Sequence, residues 1–293
     1  MGSEPNTFIA STKCHFCERC DGYGCIGELP GMGGVFENEN FITNCATWQR
    51  YYDESVSLPK IRLAPITGAV ENIGWHDEKS FYLPFLKACK DAGVLLSIGD
   101  GIPDEKLLTG IEALKTLNTQ AAVFIKPYPD TQILERIQWA NDVAAIIGID
   151  IDSYNIVTMR KLVHLEKKTD TQLITIKRKT HLPFALKGIF TVEDIALLQK
   201  VKPDIAVISN HGGRVETAHG STADFLNAHG KTILTYVGEL WVDGGLRTRA
   251  DLQAASRLGA STVMLARPFI TSWLRSGDIG PKTLVKNLTY PSA

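Results

Sequence analysis

Charge of one sign is the first thing missing. Lysine and arginine total 31 against 32 aspartate and glutamate, a formal net charge of −1 over 293 residues. A field that weak draws the chain neither to nucleic acid nor to an anionic membrane. No apolar run approaches the length of a bilayer span, and residues 1–13 lack the apolar segment of a signal peptide. A soluble cytoplasmic protein is the expectation. Cysteine is sparse outside one place: of six, Cys14, Cys17, Cys20 and Cys25 crowd together while Cys45 and Cys89 are isolated. No G-x-G-x-x-G turn follows the first strand-like run, which tells against a doubly wound dinucleotide-binding sheet.

What is present is a rhythm. From about residue 60, short apolar runs ending in polar or glycine residues alternate with amphipathic segments. The runs are IRLAPI (61–66), VLLSIGD (94–100), AAVFIKP (121–127), VAAIIGIDI (143–151), LPFALKGI (182–189), DIAVISN (204–210), ELWVDGG (239–245) and STVMLARP (261–268). Near-continuous apolar runs suit strands covered on both faces. Between them, Leu107, Leu108, Ile111, Leu114 and Leu117 fall at helical spacing. Thr191, with Asp194 three residues on, predicts an N-terminal cap. Eight such repeats predict a (β/α)8 TIM barrel over residues 60–293, with residues 1–59 as a short Cys-rich N-terminal extension. Residues 152–170 form a connection long enough to cover a site. With so little chain after LRSGD (274–278), an abbreviated closing helix is expected.

In a barrel the carboxyl ends of the strands share one rim, where active sites lie. The strand ends supply Pro65, Ser97, Lys126, Asp150 with Asp152, Lys187, Ser209 to Arg214, Asp243 to Arg247, and Arg267. Glycines let backbone N–H groups approach a phosphate and arginine grips it, so Gly244, Gly245, Arg247 and Arg267 predict an anion site. The alternative is a tight turn with two surface arginines. Lys187 ends an apolar strand, so it enters a polar pocket or snorkels to solvent. His211 suits a general base, since imidazole titrates near neutrality. Arg214 suits a carboxylate, and Gly212 and Gly213 remove side chains that would block it.

The stretches LPFALKGIFTVEDI (182–195), VISNHGGR (207–214), WVDGGLRTRADL (241–252) and MLARPF (264–269) resemble the FMN-dependent α-hydroxy acid oxidases and dehydrogenases, a family that includes lactate and glycolate oxidases. The resemblance is strong over about residues 180–270 and implies a (β/α)8 barrel that binds FMN and oxidises a small L-2-hydroxy acid to the 2-oxo acid. By the same resemblance His211 is the base, Arg214 holds the substrate carboxylate, Lys187 sits near the flavin N1 edge and Ser209 touches FMN. Asp243, Gly244, Gly245, Arg247, Ala266 and Arg267 bind ribityl and phosphate. Ala64, Pro65 and Ile66 pass the flavin ring, with Ser97 on the next strand. Strand 3 departs from the family's Gln-x-Tyr, reading Phe124-Ile125-Lys126, and Gly148 takes the place of a ring-side threonine on strand 4. Lys126 stands in for a second carboxylate-binding arginine. The substrate is a small 2-hydroxy carboxylate, the electron acceptor is open, and a homo-oligomer, such as a tetramer, is implied. The alternatives are a flavin-binding barrel with lost or altered catalysis and a non-redox FMN isomerase of the isopentenyl-diphosphate type.

KCHFCERCDGYGCIGELPGMGG (13–34) is similar to the Cys-rich leaders of a bacterial subgroup of these proteins. Cys14, Cys17, Cys20 and Cys25 are spaced to hold zinc tetrahedrally, or to take part in an iron–sulfur site; free thiols or disulfides are the alternative. His15 is a further candidate ligand. PGMGG (30–34) is either a turn or a lid over the flavin.

Overall fold

A computed structural model describes residues 39–73, 75–156, 163–215 and 218–290. The cysteine cluster and the PGMGG turn lie outside the described residues. After α1 (Glu39–Thr47) and a 3₁₀ turn (Trp48–Tyr51) come β1 (Lys60–Leu63), α2 (Ala69–Ile73), α3 (Lys79–Asp91), β2 (Ser97–Gly99), α4 (Glu105–Thr116), β3 (Ala121–Ile125), α5 (Asp130–Ala140), β4 (Ala144–Asp150), α6 (Asp170–Lys179), β5 (Phe184–Ile189), α7 (Val192–Val201), β6 (Ile205–Ile208), α8 (Thr222–Ile233), β7 (Glu239–Asp243), α9 (Arg249–Arg257), β8 (Thr262–Leu265), α10 (Arg267–Ser276) and α11 (Ile279–Thr289). Each strand falls inside or against one of the eight apolar runs. The expected shortening at the end is not found: α10 and α11 follow β8, and α11 packs on α3, α9 and α10. Among the described residues, no helix is long and apolar enough to cross a membrane.

The strands pair in parallel in the order β1-β8-β7-β6-β5-β4-β3-β2. A bridge from Arg62 to Leu95 joins the two ends, where the Leu63 N–H donates to the Leu95 carbonyl at 2.8 Å. The ring therefore closes into a (β/α)8 barrel. Several helices start where the sequence supplies a cap. Thr191 and Asp194 form a reciprocal capping box on α7, as Thr169 and Gln172 do on α6 and Thr248 and Asp251 on α9.

Alternate side chains of a strand point to opposite faces, so every second residue enters the barrel. Ala64, Ala122, Phe124, Ala185, Ile205, Val207, Trp241 and Met264 form a buried apolar cluster of their own, the inward layer. Beneath it the Arg62 guanidinium lies 4.7 Å from the Trp241 ring centroid and donates to the Leu96 carbonyl at 2.7 Å. Two residues further along each strand, the same parity delivers Lys126, Asp150, Lys187, Ser209 and Asp243. All five are buried. The barrel is thus apolar in its middle and charged at its mouth.

Helix α1 closes over that mouth on glycine. Gly213 (φ +95°) and Gly245 (φ +78°) have left-handed backbones. A Cβ there would lie 2.6 Å from the Phe41 backbone nitrogen and 2.1 Å from the Asn44 carbonyl oxygen, respectively. The Asn44 amide donates to the Asn210 side-chain oxygen at 2.8 Å and its oxygen accepts the Thr222 N–H at 2.9 Å. The Trp48 indole donates to the Gly244 carbonyl at 2.8 Å. Gly213 is therefore glycine because a helix backbone approaches it, not because a substrate needs the room. Gly245→Ala combines a strained φ with a backbone collision and is expected to cost about 2–4 kcal/mol, read as a lower denaturation midpoint.

Candidate active site

A cavity opens at the carboxyl ends of the strands. Ala64, Pro65 and Ile66 line it from β1, Phe124 and Lys126 from β3, Asp150 from β4 and Lys187 from β5. His211, Arg214, Asp243, Gly244, Gly245, Arg247, Ala266 and Arg267 also line it. Ser97 and Ser209 are buried and stand outside the lining. Gly148 is also outside it. The Phe124 ring lies 2.5 Å from where a Cβ of Gly148 would be, and Asp150 is the β4 residue that reaches the cavity.

At the centre sits His211. Its Nδ1 lies 2.8 Å from Asp152 Oδ2 and its Nε2 lies 2.9 Å from Asp150 Oδ2. Lys187 Nζ donates to Asp150 Oδ1 at 3.2 Å and to Ser209 Oγ at 3.0 Å, and lies 3.5 Å from Asp243 Oδ2. The Ser209 hydroxyl donates to Asp243 Oδ2 at 2.9 Å. Lys126 Nζ is 3.6 Å from Asp150 Oδ2. Both ring nitrogens face a carboxylate oxygen, a surrounding that favours the imidazolium over the neutral ring. Burial opposes that charge, but Asp150 and then Asp152 outweigh it, and the His211 pKa is raised. Burial works against the Asp150 carboxylate too, yet His211 and Lys187 hold it well below the usual range. Burial likewise works against the Lys187 ammonium, but Asp150 and Asp243 raise its pKa.

One glycine makes the Asp152 contact possible. Gly188 (φ +99°) sits where the β5 register shifts, and a Cβ there would fall 2.1 Å from Asp152 Oδ1. Asp150, Asp152 and His211 also bring three ligand atoms within 4.8 Å of one another. Lys126 and Lys187 already supply the positive charge a metal ion would bring.

The side of the cavity lined by Arg247 and Arg267 suits an anion. Arg267 opens α10, whose N-terminus has no side-chain cap. Its guanidinium lies 4.6 Å from the Phe41 ring centroid, and the same group is 3.2 Å from where a Cβ of Gly212 would sit. Arg247 donates through Nη1 to the Leu246 carbonyl at 2.8 Å. An open helix N-terminus beside two arginines is a ready phosphate cradle. Asp243 Oδ1 is buried without a partner at the cavity wall, an acceptor left for a ligand hydroxyl.

Sequence reasoning recognised Asp150 and Asp152 as strand-end residues but gave them no partner, and it passed over Asp100. Asp100 ends the β2 run, lines the cavity and receives the Gly101 N–H at 2.7 Å. Behind it Arg136 is fully buried, its Nε 3.2 Å from Asp100 Oδ2 and its guanidinium stacked near Tyr128 and Trp139. The signal was available: an aspartate closing a strand, and an arginine on α5 at the spacing of the buried Ile133 and Ile137.

Residues 113–290 match the family model described as FMN-dependent dehydrogenase, more than half of the chain. The chain belongs to that family. Among curated relatives of this chain, 2-hydroxyacid oxidase 2 of Rattus norvegicus is 36% identical over 110 residues, 38% of this chain and 31% of the relative. L-lactate oxidase of Lysinibacillus sphaericus (strain C3-41) is 34% identical over 116 residues, 39% of this chain and 29% of the relative. The matched stretch thus spans about a third of the length of these relatives. A crystal structure of mandelate oxidase with benzoyl-formic acid aligns with TM-score 0.67 at 20% identity, covering 87% of this chain and 86% of that one, which shows the shared fold. The cavity fits the family's cofactor: an arginine-lined helix N-terminus for the phosphate, an unpartnered Asp243 oxygen for a hydroxyl, and apolar β1 and β8 residues for the ring.

Burial raises the Asp100 pKa to about 7 against the opposing pull of Arg136 and Lys126. A folded-state pKa above the ordinary 3.8 means that the bound proton favours the fold. The contribution is complete below that value and is lost as pH rises through about 7. A protonated-carboxyl infrared band titrating near neutrality and absent in Asp100→Asn is expected, with the matching pH slope of stability flattened.

Proposed function

We propose that this chain binds FMN in the cavity and oxidises a small L-2-hydroxy carboxylate to the 2-oxo acid. The observation that carries the reading is the imidazole of His211, oriented by Asp152 at 2.8 Å and sharing one cavity with Arg214, Lys187 and the Arg247–Arg267 anion end. FMN, when bound, supplies the acceptor for the two electrons leaving the substrate Cα. Its phosphate is held by Arg247, Arg267 and the N-terminus of α10, with Asp243, Gly244 and Gly245 along the ribityl chain. Ala64, Pro65 and Ile66 flank the ring. Ser97 and Ser209 stand buried beside the wall, where Ser209 fixes Lys187.

The protein's own part is binding and proton handling. Arg214, with Lys126, holds the substrate carboxylate; a planar guanidinium matches it geometrically. His211 accepts the hydroxyl proton on Nε2 from its neutral form, and Asp152 on Nδ1 fixes the ring and stabilises the cation that results. Lys187, held by Asp150, Asp243 and Ser209, keeps a permanent positive charge beside the cofactor. The chemistry of the relatives supports the hydroxy acid class, since both named above are oxidases of such acids.

Purified protein should be yellow and should bleach anaerobically with L-lactate or a close relative. His211→Ala should keep its flavin and bleach about 10²–10⁴-fold more slowly. Flavin-loaded protein that no 2-hydroxy acid bleaches defeats the substrate assignment. Gly188→Ala drives a methyl group into Asp152 and tilts the imidazole. Flavin content should hold while the bleaching rate falls about 100-fold, the scale of a 1 Å misplacement.

A further inference from the structure

Lys126 brings three N–H donors to the cavity wall and commits none of them to a hydrogen bond among the described residues. Its backbone N–H faces Asp100 Oδ2 at 3.4 Å, which fixes the strand end. Its ammonium, though buried, has only an ion-pair neighbour, Asp150 Oδ2 at 3.6 Å, too far for a hydrogen bond. Lys187 is the contrast: it donates to Asp150 Oδ1 at 3.2 Å and to Ser209 Oγ at 3.0 Å. One lysine is built into the wall, and the other presents its donors to the space. That space adjoins the base, because Lys126 Nζ and His211 Nε2 border the same carboxylate oxygen, at 3.6 and 2.9 Å. One small molecule can therefore meet both. A substrate whose C2 hydroxyl faces Nε2 brings its next carbon close to the ammonium.

We propose that Lys126 is a specificity-determining residue that reads an uncharged oxygen on C3, and that the substrate is a 2,3-dihydroxy acid of the glycerate type. This rests on the hydroxy acid oxidation proposed above. C2 gives up its hydrogen and two electrons to the flavin, the C2 hydroxyl gives its proton to His211, and the C3 hydroxyl is carried unchanged into a 3-hydroxy-2-oxo acid.

Donor counting calls for the oxygen. Sharing the C1 carboxylate with Arg214 occupies one N–H of Lys126, since a planar guanidinium can hold both carboxylate oxygens itself. A methyl group on C2 or an alkyl chain beyond it would cover the other two donors without accepting from them. Donors shut away from water with no acceptor are costly, charged ones most of all. Charge counting calls for an uncharged oxygen. Arg247 and Arg267 serve the phosphate, and Asp100 is matched by Arg136 at 3.2 Å. With His211 neutral as the base, Lys126, Lys187 and Arg214 face Asp150, Asp152 and Asp243, three against three. The C1 carboxylate puts the anions one ahead. A second carboxylate would put them two ahead and would lie across the ammonium from Asp150. A hydroxyl accepts from Lys126 and adds no charge.

The test uses the flavin-loaded chain and pairs of molecules that differ by a hydroxyl in place of a methyl group. L-Glycerate and L-2-hydroxybutyrate are compared by the rate of anaerobic bleaching, with L-malate as the charged arm. L-Glycerate is expected to bleach at least about tenfold faster than either at equal low concentration. Hydroxypyruvate and 2-oxobutyrate, the matching products, are compared by calorimetric binding, and the first is expected to bind at least about tenfold more tightly. Lys126→Met, which fills the same space without donors, should bring both ratios close to one, and Lys126→Ala should do the same. Equal rates, or equal affinities, within a pair in the wild-type chain overturn the proposal with no variant needed. L-Malate ahead of L-glycerate overturns the choice of an uncharged oxygen. Ratios that survive in both variants take the role away from Lys126. If no 2-hydroxy acid bleaches the flavin, the proposed reaction falls. Hydroxypyruvate bound in preference to 2-oxobutyrate would then leave the Lys126 subsite standing, and no preference, absence of binding included, would remove it as well.

Discussion

The pairing of Lys187 with Asp150 and Asp243 is the interaction on which the site depends. An ammonium that is only 3% exposed is tolerable in a barrel mouth only if counter-charges and hydrogen bonds replace its water, since removing one partner of a buried pair costs about 3–5 kcal/mol. Lys187 has two carboxylates and the Ser209 hydroxyl. Those partners come from β4, β7 and the end of β6, so satisfying one lysine fixes three strand ends relative to β5. His211, two residues past Ser209, is positioned as a consequence. The carboxylate that serves Lys187 through one oxygen serves the imidazole through the other. Stability and protonation are thus set by the same few atoms.

The rim is fixed a second time from outside the strand-and-helix repeat. Helix α1 lays its backbone on Gly213 and Gly245 and threads Asn44 between Asn210 and Thr222. Phe41, from the same helix, stacks on the Arg267 guanidinium. The loops after β6 and β7 and the start of α10 therefore share one brace. Two arginines side by side repel each other, and a brace that holds the Arg267 guanidinium and the loop backbones offsets that repulsion.

Much of the fold was legible because its signals are local. Strands covered on both faces read as apolar runs, and Thr191 with Asp194 announces a helix start within four residues. The rim residues His211, Arg214, Lys187, Arg247 and Arg267 were legible because a barrel brings all strand ends together whatever lies between them. Pairings were not legible. That Asp150 stands opposite Lys187 depends on the β4–β5 register, and that Asp152 reaches His211 depends on a bulge at Gly188. The glycines misled for the same reason: a positive φ and a missing Cβ announce a close approach without naming what approaches. Arg136 shares a helix face with the buried Ile133 and Ile137, but that spacing does not name Asp100 as its partner.

The departures on β3 and β4 are two matched pairs. Phe124 brings a large ring into the barrel, and Gly148 on the neighbouring strand leaves no side chain where that ring lies. Lys126 brings a buried ammonium to the mouth, and Asp150, the next inward residue after Gly148, meets it with a carboxylate. Volume is balanced in one pair and charge in the other. A site that had merely lost its chemistry would be free to leave an unfilled space or an uncompensated lysine, and either is destabilising. Matched pairs are what a pocket with a different set of internal contacts requires. The Arg247 and Arg267 side of the cavity keeps the residues by which the sequence resembles the family, while the β3 and β4 ends carry the departures, each departure matched by its neighbour on the other strand.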